Sequence, residues 1–335
     1  MKNILITGGA GFIGTNLTVS LIDCGKNIVI VDDFKNSYKS NIDKLSKLYK
    51  NKIKVIKHDV RDYDFLKQVV QENNIDAIMH LAAKKYIDES FLKPKQYHDN
   101  NMQSLQTALC VAHDCKIKNI MFASTMAVYG NPTVLPIPES AKYNPISPYA
   151  ETKVLGEQEI ISWTNNNQDA SVIIYRFSNP IGADDKLMLG DNAKRPNNSL
   201  LPYIIENALV GNSLVFNGNN HSTRDGTPIR DYIHIKDLTN IVAKTFTTNN
   251  AKGLNIYNVG CGKDGFTVLQ MLKAVETCLD KKLNYSFGPK RSGDIERLVC
   301  DNTKLKQDFD IKLDYSLEDM VSSHINFIKY LKTKK

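Results

Sequence analysis

The first half of the chain alternates short apolar runs with longer amphipathic stretches. The runs are short and largely apolar, as expected for strands covered on both faces. We predict strands at residues 2–7, 27–31, 53–57, 77–80, 120–123 and 171–176, and helices between them, for example at 13–24, 97–115 and 149–163. Because parallel strands joined by helices cross over in the right-handed sense, this order predicts an α/β fold with a doubly wound parallel sheet.

The pattern changes beyond residue 178, where prolines and frequent Asn and Gly residues separate shorter stretches. We therefore predict two domains. Residues 1–178 form the sheet domain, to which part of 230–260 returns, and residues 179–335 form a smaller α+β domain. Since ligands of such sheets bind at the carboxyl ends of the strands, we expect a site between the two domains.

A glycine-rich segment follows the first predicted strand and opens a helix, as in the dinucleotide-binding loop of a Rossmann fold. Gly8 allows the tight turn, Gly11 lets the backbone approach a pyrophosphate, and Gly14 permits close packing of the helix on the strand. Phe12 and Ile13 lie at the helix amino terminus, whose free N–H groups favour phosphate. We predict that this loop binds a dinucleotide.

An acidic pair ends the second predicted strand. Asp32, followed by Asp33, stands where a carboxylate accepts hydrogen bonds from the adenosine ribose and repels a 2′-phosphate. This position favours NAD over NADP as the cofactor. The alternative is a turn aspartate that binds no ligand.

The ends of the third and fourth predicted strands supply further cofactor candidates. Asp59 and Val60 follow the third strand, where an acidic residue can reach the adenine amino group. Leu81, Ala82 and Ala83 follow the fourth strand. We expect this segment to let the cofactor lie against its backbone, and we include all five residues among the cofactor contacts.

Tyr149 and Lys153 are four residues apart on a predicted helix and therefore share one face. A tyrosine with a pKa of ~10 is a poor base at neutral pH. A nearby ammonium group and the positive nicotinamide of an oxidised cofactor both favour the phenolate. Thr125, after the fifth strand, has a hydroxyl that could relay the proton. Such a pair is common on helices, but downstream of a dinucleotide loop it is the leading candidate for general acid/base chemistry.

Together these motifs resemble the extended short-chain dehydrogenase/reductase family, and longer stretches are similar to its UDP-glucose 4-epimerases. The similar stretches are Lys93-Pro94, Asp99-Asn100-Asn101, Arg176-Phe177, Asn179-Pro180, Pro196-Asn197-Asn198, Leu201-Pro202-Tyr203, Asp225-Gly226-Thr227, Arg230-Asp231-Tyr232-Ile233-His234, Tyr257-Asn258-Val259-Gly260 and Arg291 with Gly293-Asp294. They extend over nearly the whole chain.

The resemblance implies NAD-dependent interconversion of UDP-glucose and UDP-galactose through a 4-keto sugar. It makes Tyr149 the base and Lys153 the residue that positions it and contacts the nicotinamide ribose, and it places Lys85 and Asn100 near the cofactor. It also implies a homodimer formed through the helices at 97–115 and 149–163. The residues implied to contact the UDP-sugar, besides Thr125, are Asn179, Ser199, Leu200, Arg230, Arg291, Asp294 and Leu298.

Some positions depart from the epimerase pattern. Ser178 replaces an aromatic residue and Ser199 an asparagine. Leu298 stands where a tyrosine restricts the sugar pocket and a small residue admits N-acetyl sugars, so 4-epimerisation of UDP-N-acetylglucosamine and UDP-N-acetylgalactosamine remains an alternative. A related 4,6-dehydratase is disfavoured because Met126-Ala127, after Thr125, contains no carboxylate. A non-catalytic NAD-binding protein would not need the Thr–Tyr–Lys set.

The composition agrees with a globular enzyme, with 42% hydrophobic and 24% charged residues among 335. The net charge of +7 is too small to indicate a nucleic-acid partner. We expect no membrane span, because no long apolar run occurs. The six cysteines and seven histidines lack metal-ligand spacing, so we expect reduced thiols, no metal and a cytoplasmic location.

Overall fold

A seven-stranded parallel sheet lies at the centre of the molecule. The structure is a computed structural model that describes residues 1–195, 199–249, 251–262, 264–290 and 295–333. The strands are β1 (Asn3–Thr7), β2 (Asn27–Asp32), β3 (Ile53–Lys57), β4 (Ala77–His80), β5 (Asn119–Thr125), β6 (Ser171–Phe177), β7 (Asn179–Ile181), β8 (Leu214–Asn217), β9 (Ile229–Arg230), β10 (Tyr232–His234), β11 (Gly253–Val259), β12 (Phe266–Thr267), β13 (Tyr285–Gly288) and β14 (Arg297–Leu298).

Helices cover both faces of this sheet and build the smaller part of the molecule. They are α1 (Phe12–Asp23), α2 (Ser40–Leu48), α3 (Tyr63–Glu72), α4 (Ile87–Leu92), α5 (Pro94–Asp114), α6 (Pro148–Asn165), α7 (Leu200–Val210), α8 (Ile235–Thr248), α9 (Val268–Leu279), α10 (Thr303–Asp308) and α11 (Leu317–Thr333). A single 3-10 turn at Met126–Tyr129 separates β5 from the segment leading to α6.

The sheet order β11-β6-β5-β4-β1-β2-β3, with every pair parallel, confirms the predicted doubly wound fold. β3 and β4 have the predicted bounds, and the other predicted strands differ by one or two residues at an end. The difference at β5 concerns a candidate site residue, because the strand extends to Thr125 and ends there. The strand order reverses between β1 and β4, and this switch point opens a crevice at the carboxyl edge.

Side chains alternate between the two faces of the sheet, and each face has its own core. Ile4 and Ile6 of β1 pack with the buried residues of α1, α2 and α8, whereas Leu5 packs with those of α3, α5 and α6. This period of two, with both faces covered by helices, explains why the strands are continuously apolar.

The chain returns to the sheet after leaving it. β11 pairs with β6 at the sheet edge, and α8 packs against α1. Both elements fall largely in the range 230–260. The division of the chain at residue 178 stays a prediction.

A separate core holds the remaining elements together. It contains the buried apolar residues of α7, α9 and α11, with Leu214 and Phe216 of the short strand β8. β8 pairs with β13, and β9 lies between β12 and β14. Within the described ranges, no helix combines the length and apolar character that crossing a bilayer requires.

A substitution at Gly14 tests the close approach of α1 to the loop that precedes it. A Cβ at Gly14 would lie 2.6 Å from the Cα of Gly9, and backbone cannot yield as a flexible side chain can. We expect Gly14→Ala to lower the free energy of unfolding by about 2 kcal/mol, although alanine is the better helix former. Urea denaturation measures this.

Gly11→Ala is the matched control. A Cβ there meets only the Gly8 carbonyl oxygen, at 3.5 Å, and the φ of Gly11 is −76°. We expect this variant to lose less than about 1 kcal/mol. Equal urea midpoints for the two variants would contradict the packing argument.

Candidate active site

The glycine loop lies in contact with the segment that follows β4. Gly8 has φ +71°, and a Cβ on it would stand 2.7 Å from the backbone of Ala82. The loops after β1 and β4 therefore meet at the switch point with no room for a side chain. Gly11 caps α1 through its backbone, and no acidic residue occupies the first turn of that helix. Gly8 and Gly11 are partly exposed, and the positive helix end beside them fits a pyrophosphate, so the residues present suit a dinucleotide.

Leu81, Ala82 and Ala83, the segment after β4, are all partly buried. The Leu81 N–H donates to the Thr7 carbonyl at 3.1 Å, and the Leu81 side chain packs against the core on the α1 side of the sheet. Leu81 therefore extends the pairing of β4 with β1 by one hydrogen bond, and its contact with a cofactor stays a prediction. Ala82 packs toward the opposite core, and its carbonyl accepts the Ser104 hydroxyl at 3.4 Å. A cofactor contact of Ala83 stays a prediction.

Asp32, at the end of β2, is 8% exposed and ties the glycine loop to the loop after β2. Its Oδ2 accepts the Ala10 N–H at 3.1 Å, and its Oδ1 accepts the Phe34 N–H at 2.8 Å and the Ser37 hydroxyl at 2.9 Å. Burial raises the pKa of this carboxyl against the lowering effect of these bonds. Oδ2 keeps room for a further donor, such as a ribose hydroxyl.

The acidic residues after β2 and β3 are engaged by basic neighbours. Arg61 binds both carboxylate oxygens of Asp59, at 3.0 and 2.7 Å, and Lys35 lies 2.9 Å from Asp33 and 3.2 Å from Asp59. Arg61 accounts for most of the lowering that holds the pKa of Asp59 well below its usual range. An adenine contact of Asp59 would share this carboxylate with Arg61. Val60 beside it is buried.

Tyr149 lies in the first turn of α6, which Ser147 caps by accepting the Ala150 N–H at 3.2 Å. The hydroxyl of Thr125 is hydrogen-bonded to Tyr149 and also accepts the Ala127 N–H at 3.2 Å. Burial raises the pKa of Tyr149 to about 12, against the lowering effect of Thr125. The structure thus brings Thr125 and Tyr149 together, as the motifs indicated.

Lys153 lies one turn further along α6 and is 5% exposed. Its ammonium donates to the Ala123 carbonyl at 2.7 Å and lies 4.8 Å from the centre of the Phe122 ring. Burial lowers the pKa of Lys153 to about 8, while Glu157 raises it. The sequence argument expected the ammonium to lower the pKa of Tyr149. In the structure burial dominates at Tyr149, and the ammonium is directed at β5.

Two more residues are expected near a cofactor, Lys85 between β4 and α4 and Asn100 within α5. Lys85 forms an ion pair with Asp191 at 3.6 Å. Asn100 donates to the side chain of Asn101 at 3.1 Å. Asn101 is buried, accepts the Lys84 N–H at 2.8 Å and donates to Thr152 at 3.0 Å. Asn101 therefore holds the loop after β4 against α6 beside Lys153, a role that no sequence motif indicated.

The segment after Asp191 binds two of the loops that surround the crevice. Asn192 and Asn41 exchange hydrogen bonds of 2.9 Å, and the Lys194 ammonium donates to the Phe34 carbonyl at 2.6 Å. Arg195 pairs with Asp88 at 2.7 Å and with Glu89 at 3.0 Å. The sequence argument did not identify these contacts, because they join positions more than a hundred residues apart.

The expected substrate residues lie around β7, β9 and α7. The Asn179 N–H donates to the Asp231 carbonyl at 3.1 Å, which places Asn179 beside Arg230. Arg230 donates to the Ile295 carbonyl at 2.7 Å, and Leu298 is its partner in β14. Ser199 is exposed at the start of α7, and Leu200 is the first residue of that helix. Arg291 and Asp294 lie outside the described residues, as do Pro196, Asn197, Asn198 and Gly293.

One buried ion pair beside the site was not predicted. Arg176 of β6 binds Glu157 of α6, with 2.6 Å between Nη2 and Oε2, and their side chains are 2% and 0% exposed. Helical spacing could have found Glu157, since it continues the four-residue steps from Tyr149 to Lys153.

After Thr125, the 3-10 turn presents Met126 and Ala127 where a dehydratase of the resembled kind would present acids.

Comparison with known proteins agrees with this geometry. Residues 5–324 match the family model described as GDP-mannose 4,6 dehydratase. UDP-glucose 4-epimerase 4 of Oryza sativa subsp. japonica is 34% identical, over 97% of this chain and 90% of the relative. The UDP-glucose 4-epimerase of Bacillus subtilis is 34% identical, over 95% and 94%. A crystal structure of UDP-glucose 4-epimerase from Bifidobacterium longum with NAD+ and UDP has a TM-score of 0.92, 31% identity and full coverage of both chains. The chain therefore belongs to the GDP-mannose 4,6-dehydratase family of nucleotide-sugar enzymes and, within it, to the UDP-glucose 4-epimerases.

Proposed function

We propose that this chain interconverts UDP-glucose and UDP-galactose by inverting the C4 hydroxyl through a 4-keto sugar. The observation that carries the proposal is the set of Thr125, Tyr149 and Lys153 at the carboxyl edge of the sheet that also holds the glycine loop. Bound NAD supplies a hydride acceptor and donor and, when oxidised, a positive charge. NAD is the expected form because Asp32 closes β2, where a 2′-phosphate would meet a carboxylate.

Tyr149 is the base that takes the C4 hydroxyl proton and returns it. With a pKa raised to about 12 by burial, its phenol is protonated at neutral pH, so the free phenol is a poor base. The hydroxyl of Thr125 lowers that pKa and offers a path for the proton. In a buried site, a positive charge close to the phenol favours its ionised form strongly. As a base, Tyr149 would therefore depend on the positive charge of an oxidised cofactor held close to the phenol.

Lys153 holds the nicotinamide ribose and keeps positive charge near the reacting atoms. Its pKa of about 8 leaves it mainly protonated at neutral pH. His80, also near Lys153, has its pKa lowered by burial to about 3 and is neutral. With so low a pKa His80 is a weak base, and its Nδ1 already bonds the Thr7 hydroxyl at 2.9 Å, so we take Tyr149 as the acid/base group of this site.

The UDP moiety is the anchor of the substrate. We propose that the residues that contact it are Asn179, Ser199, Leu200, Arg230, Arg291 and Asp294. Guanidinium groups bind phosphate oxygens with two parallel hydrogen bonds, which suits a diphosphate. Contacts on the diphosphate leave the hexose free to turn between its two hydride transfers, as inversion requires.

Each of the two predicted domains binds one of the two ligands. Residues 1–178, with part of 230–260, bind NAD, and residues 179–335 bind the UDP-sugar. We also infer a cytoplasmic location, because the six cysteines are scattered along the chain without the spacing of a disulfide framework, as is usual in a reducing compartment.

Tyr149→Phe tests the role of the phenol. We expect kcat for UDP-glucose to fall by roughly a hundredfold or more, since general acid/base catalysis contributes on that scale. Bound NAD and the urea midpoint should be unchanged. The assay couples UDP-galactose formation to a specific detection enzyme and includes UDP-N-acetylglucosamine as a second substrate.

Tyr175→Phe is the matched control, because its buried hydroxyl bonds Thr245 at 2.6 Å, away from the site. It should keep normal kcat. Near-normal turnover by Tyr149→Phe would refute the catalytic assignment, and a higher kcat/KM for UDP-N-acetylglucosamine than for UDP-glucose would refute the choice of sugar.

We propose that two copies of the chain pair through α5 and α6, which form a four-helix bundle in the dimer. Several large apolar side chains are exposed on and beside these helices. They are Ile87, Phe91, Leu92, Ile146 and Leu155, which are 38 to 82% exposed. Such a concentration of apolar side chains is typical of an interface.

Leu155→Glu tests this interface. Leu155 projects from α6 and is 38% exposed. A carboxylate buried between two copies is costly, so we expect the variant to sediment as a monomer where the wild-type chain sediments as a dimer. Val210→Glu, at an exposed apolar residue of α7, is the control and should remain dimeric. A monomeric wild-type chain would contradict the proposal.

A further inference from the structure

Three successive residues at the end of β5 each bind a different turn of α6. The Ala123 carbonyl accepts the Lys153 ammonium at 2.7 Å. The Ser124 hydroxyl donates to Oε1 of Glu157. The Thr125 hydroxyl bonds Tyr149. The helix residues are spaced four apart, so one face of α6 is fastened to one strand end at three points.

The Glu157 contact differs from the other two because a second residue, Arg176, also binds the Glu157 carboxylate. Arg176, the cross-strand partner of Ser124 on β6, places its Nε 3.0 Å from Oε1 and its Nη2 2.6 Å from Oε2 of Glu157. Arg176 is itself fixed by the Tyr129 hydroxyl at 2.6 Å and the Glu139 carbonyl at 2.8 Å. Glu157 thereby links α6 to β5 and β6 at once.

We propose that Glu157 is a positioning residue that, through Arg176 and Ser124, sets the register of α6 against β5 and so places Tyr149 and Lys153 for the reaction. The inference rests on the proposed function, since it assigns a role in that same site. Glu157 does not contact the substrate, and it acts through the residues one and two turns before it.

The charge of Glu157 adds a second effect. Among charged or titratable groups, Glu157 on α6 and His80 on β4 interact with the Lys153 ammonium, and His80 is neutral. Glu157 is the group that raises the pKa of Lys153 against burial. Removing its charge must therefore lower that pKa and move the alkaline limb of activity to lower pH.

Ser124→Ala tests the register with the ion pair left in place. We expect kcat, normalised to bound NAD, to fall about tenfold, because small displacements of reacting groups are costly. KM should stay within about twofold, since the diphosphate contacts lie elsewhere. The matched control is Ser20→Ala, which removes a buried hydroxyl that bonds Asn240 at 2.8 Å between α1 and α8. It should keep kcat within about twofold, and equal losses of kcat in the two variants would overturn the inference.

Glu157→Gln tests the charge without relying on turnover. The Cε resonance of Lys153, identified by comparison with Lys153→Met, is followed by NMR against pH in the NAD-bound protein. We expect its midpoint to fall by about one pH unit in Glu157→Gln. The double variant Glu157→Gln, Arg176→Met removes both buried charges and gives the same shift where the single variant does not fold.

The two measurements separate this inference from the proposed function. An NAD-bound wild-type chain without UDP-glucose turnover would refute the function, and the Lys153 midpoint would still decide the role of Glu157. An unchanged midpoint would overturn that role even in a fully active enzyme.

Discussion

A buried ammonium group between a sheet and a helix is the interaction on which the site depends. Lys153 loses most of its hydration on folding, and a buried charge persists only with compensating partners. A carbonyl of β5 compensates it directly and Glu157 does so from its own helix. Glu157 is compensated in turn by Arg176. Each partner comes from a different element, so satisfying one charge fixes the arrangement of β5, β6 and α6.

The fold could be predicted from the sequence because its signals are local. The apolar run at 77–80 gives the bounds of β4, since a strand buried on both faces has little tolerance for polar residues. The edge strand β3 was also found, although its Lys54 and Lys57 are exposed. The glycine loop was recognisable because a Cβ on Gly8 or Gly14 would lie less than 3 Å from neighbouring backbone atoms, so only glycine fits at either position. Such steric requirements are visible in the sequence as glycines at a fixed spacing.

The electrostatics of the site could not be predicted in the same way. Tyr149 and Lys153 share a helix face, which suggested a direct effect of the ammonium on the phenol. The structure turns the ammonium toward Ala123 and leaves burial as the main influence on the pKa of Tyr149. Likewise, the sequence placed Asp59 near an adenine but could not show that Arg61 binds both its oxygens. Such contacts depend on tertiary geometry that spacing along the chain does not contain.

The contacts around the crevice bear on how an epimerase uses its cofactor. Lys194 binds the loop after β2, while Asn192 binds α2 and Arg195 binds α4. Asp32 binds the glycine loop to the loop after β2. Opening the crevice would break several of these bonds together. An oxidoreductase that releases its cofactor in every cycle would bear that cost each time. A 4-epimerisation returns NAD to its starting state, so NAD need not leave between turnovers. The bonds that hold the cofactor side of the crevice can then stay in place and help to keep water from the keto sugar.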